Sequence, residues 1–341
     1  MVAGLIKAQR DRERPLRRDL RIGLGVRTLN FTVEQSERIV KAARQRFRTH
    51  NAGRKFVEAE LFAALADSVS PGLDPDHVRD RLRSELPVRE ALEWMWPVLT
   101  PAQLLHDLFG SPALLRSAAG RWFDQDACDA LYRPRSELAD EAVFSVNDVP
   151  LLDEARARLG PRPGRARTDE VRTFGHIVVD EAQDLSPMEL RSLTRRSLNG
   201  SMTVVGDIAQ STGAWAHDSW DEVLDHLPDR RPARTSVLSV GYRIPQPLMD
   251  AAAGVLAEAA PELDPPRAVR KAGDPPVAIA VDHPDELAAA VAREVQRQLD
   301  HPDGGAIAVI TPGSMVDVMA AALEAADVDF GRATRTGLRQ D

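Results

Sequence analysis

Two carboxylates follow directly on a short apolar run in Gly175-His176-Ile177-Val178-Val179-Asp180-Glu181-Ala182-Gln183-Asp184. Ile177, Val178 and Val179 are apolar on both faces and too few for a helix, which predicts a buried strand of a parallel sheet. In open α/β sheets, ligands sit in the crevice beyond the carboxyl ends of the strands. An aspartate placed there, Asp180, can hold Mg²⁺ on a nucleotide, and the next residue, Glu181, can polarise an attacking water. The same Asp-Glu pair also suits a plain strand end that caps the following helix.

The elements that would position these groups follow from the spacing. Strand 177–180 leads to a helix beginning near Ser186-Pro187, with Met188, Leu190 and Leu193 apolar. Asn199-Gly200 turns the chain, and Met202–Asp207 reads as a second buried strand ending in Gly206-Asp207. Strand–helix–strand at this spacing predicts a parallel βαβ unit. Further on, a helix is expected over 247–260. Strands are expected over 277–281, 307–311 and 328–330, with helices over 286–299 and 315–325, as in a second α/β domain.

The first half reads differently. Ile22, Leu24 and Val26 alternate as in a strand, and Thr32-Val33-Glu34-Gln35 has the form of a capping box. The helix it launches carries Ile39, Val40, Ala43 and Phe47 on one face, and Asn51-Ala52-Gly53 reads as its stop. From Phe56 to Leu159 the pattern is almost entirely helical, and its aromatic residues, Trp94, Trp96, Trp122 and Tyr132, read as core. Gly160–Arg167 is a linker or surface loop by its Pro, Gly and Arg content.

Composition sets outer bounds. The chain has 341 residues, 43% of them hydrophobic and 28% charged, an ordinary globular mixture of two or three domains. Its single cysteine, Cys128, excludes a disulfide framework and a Cys-based zinc site within one chain. No apolar run reads as a membrane span or signal peptide, so a cytoplasmic location is expected. Net charge is −8, yet residues 1–60 hold fifteen Lys/Arg against seven Asp/Glu. A basic segment on an acidic body suits a phosphate footprint, and equally a solvated helix face.

Three short motifs then occur in order: Asp180-Glu181-Ala182-Gln183-Asp184; Gly206-Asp207-Ile208-Ala209-Gln210-Ser211 with Trp215 nine residues after Gly206; and Gly241-Tyr242-Arg243. Together they resemble motifs II, III and IV of the superfamily-one helicases of the UvrD/Rep type. Gly241 departs from the asparagine usual in that family. The stretches 96–105, 148–155 and 240–247 are similar to the HelD, or helicase IV-like, branch.

The resemblance implies a fold, a chemistry and partners. The fold would be α/β: a RecA-like P-loop NTPase parallel sheet with a large inserted helical domain and a partial second RecA-like domain. Its parts would be residues 1–54, a basic strand and helix of the first motor domain; 55–160, the helical insertion; 168–260, motor domain one with the three motifs; and 275–341, part of motor domain two. The cofactors would be ATP and Mg²⁺. Asp180 would bind the metal and Glu181 would act as base. Gly206 and Asp207 would border the nucleotide. Gln210 would report the γ-phosphate, Tyr242 would stack on adenine and Arg243 would reach the γ-phosphate. Trp215 would stack on a base of single-stranded DNA. The partners would be single-stranded or duplex DNA and RNA polymerase.

The phosphate-binding form GxxxxGK[ST] occurs nowhere in these 341 residues. The family carries it before its helical domain, and carries further motifs after the position of Asp341. The chain is therefore expected to be an internal piece of a longer motor, without ATPase activity on its own. A non-enzymatic remnant that binds DNA or RNA polymerase is the alternative.

Overall fold

The computed structural model describes residues 2–120, 122–165, 169, 171–211, 215, 217–228, 232–302, 305–334 and 337–339. Ala166 and Arg167 of the expected linker lie outside the described residues. The chain divides into two compact units, 1–236 and 237–341.

The first unit opens with α1 (Val2–Arg10) and an antiparallel hairpin of β1 (Leu20–Leu24) and β2 (Arg27–Phe31), where one strand was expected. Gly25 takes φ +60° in the tight turn between them, a conformation glycine adopts without steric cost. The capping box predicted at Thr32 does start α2 (Val33–Arg46): Thr32 accepts from the Gln35 N–H at 3.2 Å, and the Gln35 side chain accepts from the Thr32 N–H at 2.8 Å.

The predicted stop at Asn51-Ala52-Gly53 is instead the first turn of α3 (His50–Asp67). Tertiary contacts override the local signal. A Cβ on Gly53 would stand 2.7 Å from Cζ2 of Trp96, so only glycine admits the indole. The Asn51 amide is buried and donates to the carbonyls of Leu99 and Gly160, both at 3.0 Å. His50 stacks on the same indole, with ring centroids 5.1 Å apart, and its Nε2 donates to the Pro97 carbonyl at 2.7 Å.

Six further helices follow: α4 (Pro75–Leu82), α5 (Leu86–Met95), α6 (Pro101–Phe109), α7 (Pro112–Ala119), α8 (Gln125–Leu131) and α9 (Val149–Leu159). They bury two apolar cores. One gathers Phe31, Leu61, Phe62 and Trp96; the other gathers Leu5, Leu104, Leu105 and Leu159. Then come β3 (Ile177–Val179), α10 (Pro187–Arg196), β4 (Met202–Val204) and α11 (Trp220–Leu224). β3 and β4 pair in parallel, Ile177 with Met202 through Val179 with Val204, as the strand–helix–strand spacing predicts.

The second unit holds β5 (Val240–Gly241), α12 (Gln246–Ala259), β6 (Arg267–Ala268), α13 (Leu287–Leu299), α14 (Val316–Ala325), β7 (Arg332–Thr334) and β8 (Gly337–Arg339). β5 pairs with β6 in parallel and β7 with β8 antiparallel. α13 and α14 meet through Ala292, Val295 and Leu323.

The large RecA-like parallel sheet expected from the motifs is not the fold. The protein is predominantly α-helical, 52% helix against 7% strand, and its sheets among the described residues have two strands each. The reason lies in the strands themselves. A parallel sheet is stable when both faces are covered and neighbours supply the ladder. Val178 of β3 is 68% exposed, so one face of the β3–β4 pair is open. The runs 277–281 and 307–311 find no neighbour and are not strands; Val277 and Ile310 are 79% and 96% exposed. Residues 328–330 are likewise no strand, although Val328 and Phe330 pack on the α13–α14 contact. Among the described residues no helix is long and apolar enough to cross a membrane.

Candidate functional site

The β3–β4 pair ends in two loops that interlock. Val205 donates to the Val179 carbonyl at 2.8 Å, and Ala182 donates to the Val205 carbonyl at 3.0 Å, which carries the parallel register past both strands. Val179, Ala182, Leu190 and Val223 form a small buried core under this corner.

Gln183 is the hub. It is buried, and its Nε2 donates to Glu181 Oε2 at 2.8 Å. Its Oε1 accepts from the Asp207 N–H at 3.0 Å. Its backbone carbonyl accepts from Ser211 Oγ at 3.1 Å. The Asp180–Asp184 string and the Gly206–Ser211 string are thereby one assembly. Gly206 makes this possible, because any Cβ there would overlap Gln183 Oε1.

Glu181 sits at φ +52°, ψ +44°, the left-handed region that a non-glycine residue rarely adopts. Such strain costs on the order of 1–3 kcal/mol and gathers at functional sites. The Asp180 side chain accepts from the Glu181 N–H at 3.0 Å, and both carboxylates are exposed. Asp207 accepts from Ala209 N–H at 3.0 Å and from Gln210 Nε2 at 2.7 Å, so Gln210 is folded onto its own motif. His217 closes the assembly from below: its N–H donates to Ser211 Oγ at 3.2 Å, and its Nε2 donates to the Leu185 carbonyl at 2.9 Å.

A cluster of ions fixes the helix that follows the acidic motif. Asp153 and Glu154 of α9 are nearly buried and face α10. Glu154 accepts from Arg191 at 2.9 Å and from Arg195 at 2.6 Å, and pairs with Arg158 at 2.7 Å. Asp153 accepts from Arg196 at 2.6 Å and also from Arg195. Burial pushes both carboxyls up. For Asp153, hydrogen bonds from Arg196 and Arg195 outweigh it; for Glu154, the Arg191 hydrogen bond and the Arg158 charge do, so both end below the usual carboxylate range.

Of the residues expected at the site, Asp180, Glu181, Gly206, Asp207 and Gln210 come together in the first unit. Trp215 is 61% exposed. Tyr242 and Arg243 fall in the second unit, both exposed. There, the Arg243 carbonyl accepts from Arg270 at 3.1 Å, and Gly241 lies in β5 with Met249 Cε 3.4 Å from where its Cβ would be.

Among the described residues, no group of three or more His, Cys, Asp or Glu is arranged to hold a metal. The structural roles of Gln183, Ser211 and His217 go beyond the sequence reading. Gln183 and Ser211 stand inside the motif strings, whereas nothing in the sequence marks His217. The chain matches no protein-family model and no curated protein.

Proposed function

We propose that this chain is part of an ATP-dependent nucleic-acid motor, a HelD-like helicase or translocase that acts on DNA with RNA polymerase as partner. One observation carries the reading. Two motifs more than twenty residues apart are joined through Gln183 at the carboxyl ends of adjacent parallel strands, the position where open α/β units bind ligands.

In this reading a bound Mg²⁺–ATP supplies the phosphoryl group and its charge neutralisation. Asp180, at the strand end, would hold the metal ion. Glu181, aimed by Gln183 and by its own left-handed backbone, positions the attacking water. Gln210, which donates to Asp207 at 2.7 Å, would contact the terminal phosphate. Trp215 offers an exposed indole face on which any base can stack without sequence preference. Tyr242 and Arg243 are assigned the adenine and the γ-phosphate by their motif alone.

The test is binding of Mn²⁺·ATP, followed by electron paramagnetic resonance. Weak binding that Asp180→Ala abolishes is the expected result. Equal binding by the variant, or none by the unaltered chain, would count against the nucleotide role.

A second reading is favoured by the absence of GxxxxGK[ST] from the sequence. Without the backbone cradle and lysine of that loop, a large share of phosphate stabilisation is missing from these residues. The chain would then act by binding, with its helical first half as the docking body. Retention of RNA polymerase core enzyme together with undetectable ATP turnover supports this reading. Turnover abolished by Glu181→Gln would refute it.

A further inference from the structure

The segment Arg10–Arg21 carries six arginines and no lysine. The fold pins it in place. Arg14 N–H donates to the Met95 carbonyl at 3.1 Å, Trp94 Nε1 donates to the Pro15 carbonyl at 2.8 Å, and Leu16 N–H donates to Ser36 Oγ at 2.9 Å. Leu16 is buried, and the arginines flanking it turn onto α5. The guanidinium carbons of Arg14 and Arg17 lie 3.3 Å and 4.2 Å from the centroid of the Trp94 ring.

Two cations held against one indole repel each other. Three carboxylates in or beside the segment are engaged elsewhere: Glu13 by His50 and Arg44, Asp107 by Arg12 and Arg135, and Asp19 by the Val33 N–H. Among the described residues, the ion pairs do not include Arg14, Arg17 or Arg18, and Arg17 and Arg18 are exposed. Burial, and then the charges of Arg12 and Arg17, hold the Arg14 guanidinium below its usual range.

We propose that Arg14, Arg17 and Arg18, on the platform of Trp94, form a docking surface for the phosphodiester backbone of a nucleic acid, in addition to the base contact assigned to Trp215. Stacking on the indole holds a planar guanidinium by its face; Arg14 Nε also donates to the Trp94 carbonyl at 3.3 Å, so its terminal N–H groups, with the guanidinium edges of Arg17 and Arg18, are the ones that fork onto phosphate oxygens. A segment whose basic residues are all arginine favours this forked contact over the point contact of lysine. The rest of the chain carries the acidic excess, so the footprint is local and sets where the strand crosses. This surface rests on the nucleic-acid reading above, but not on the nucleotide corner.

The experiment is fluorescence anisotropy of a labelled oligothymidylate and of a labelled duplex across a salt series, with labelled polyglutamate as the competing ligand class. The Arg14→Gln/Arg17→Gln variant is expected to bind about tenfold more weakly at low salt. Its log–log salt slope should be reduced by about 1.4–1.8, two phosphates' worth. Arg14 is partly buried, so Arg17→Gln/Arg18→Gln, which alters exposed residues only, serves as the second variant with the same expected direction. Unchanged affinity and slope in both variants would overturn the surface while leaving the Mn²⁺·ATP result to judge the motor. Preference for polyglutamate over both nucleic acids, lost in the variants, would overturn it in favour of an acidic protein partner. No binding of either nucleic acid by the unaltered chain would also overturn it.

Discussion

Gln183 occupies the space that a side chain on Gly206 would need, and its Oε1 accepts from the next residue's N–H, that of Asp207, at 3.0 Å. Each of the two motif strings is thus shaped by the other. Gly206→Ala should drive Gln183 from its place at a cost of about 1–3 kcal/mol, the usual range for overpacking. Gln183→Ala should cost about as much, through the buried hydrogen bonds it removes. The two effects should fall well short of additive in the double variant, because both break the same contact. Strict additivity in urea unfolding would show that the interlock is not what these residues contribute.

Gly53 makes a comparable prediction in the helical half. Gly53→Ala places a methyl group against the Trp96 indole and should destabilise by about 1–3 kcal/mol, even though alanine is the better helix former. A gain in thermal midpoint would mean that the indole moves aside freely.

The ion cluster between α9 and α10 gives a pH dependence with a fixed sign. Asp153 and Glu154 are held below their ordinary range, so their contribution is fully present above the carboxyl range of the unfolded chain. It is lost as pH falls through their lowered folded values. Asp153→Asn/Glu154→Gln should cost about 2 kcal/mol at neutral pH, a figure reduced for the partly exposed arginines. The gap to the unaltered chain should begin to shrink below about pH 4.5 and continue to close as the solution becomes more acidic. A gap that widens with acid would reverse the sign and refute the assignment.

Trp215 tests function apart from folding. Its ring is 61% exposed, so Trp215→Ala should leave the unfolding midpoint within about 0.5 kcal/mol of the parent. Affinity for single-stranded oligothymidylate should fall by about 1–3 kcal/mol. A large stability loss would place the indole in the core instead.

What the residues disclosed in advance was local. Thr32 with Gln35 spells out its own reciprocal hydrogen bonds, and Ser186-Pro187 marks a helix start, so the starts of α2 and α10 were legible. Ile177–Val179 and Met202–Val204 were legible as a parallel pair because a helix of the right length lies between them. The sheet beyond that pair was not. Alternation at 277–281 records a preference for extended backbone, but a strand exists only where another supplies the ladder. Asn51 and Gly53 misled for the converse reason: their helix-breaking chemistry is answered by Leu99, Gly160 and Trp96, which lie far along the sequence. At the site, the sequence showed Asp180–Asp184 and Gly206–Ser211 as separate strings, and nothing in it said that Gln183 would join the two.

The uncovered runs around Ile279 and Val309 bear on how the protein behaves in the tube. Rich in β-branched residues and wetted by solvent, each can serve as a template for a strand from a neighbouring molecule. Concentrated samples should therefore lose monomer to β-rich assemblies that begin in the second unit, and a lysine in place of the 96% exposed Ile310 should slow that loss.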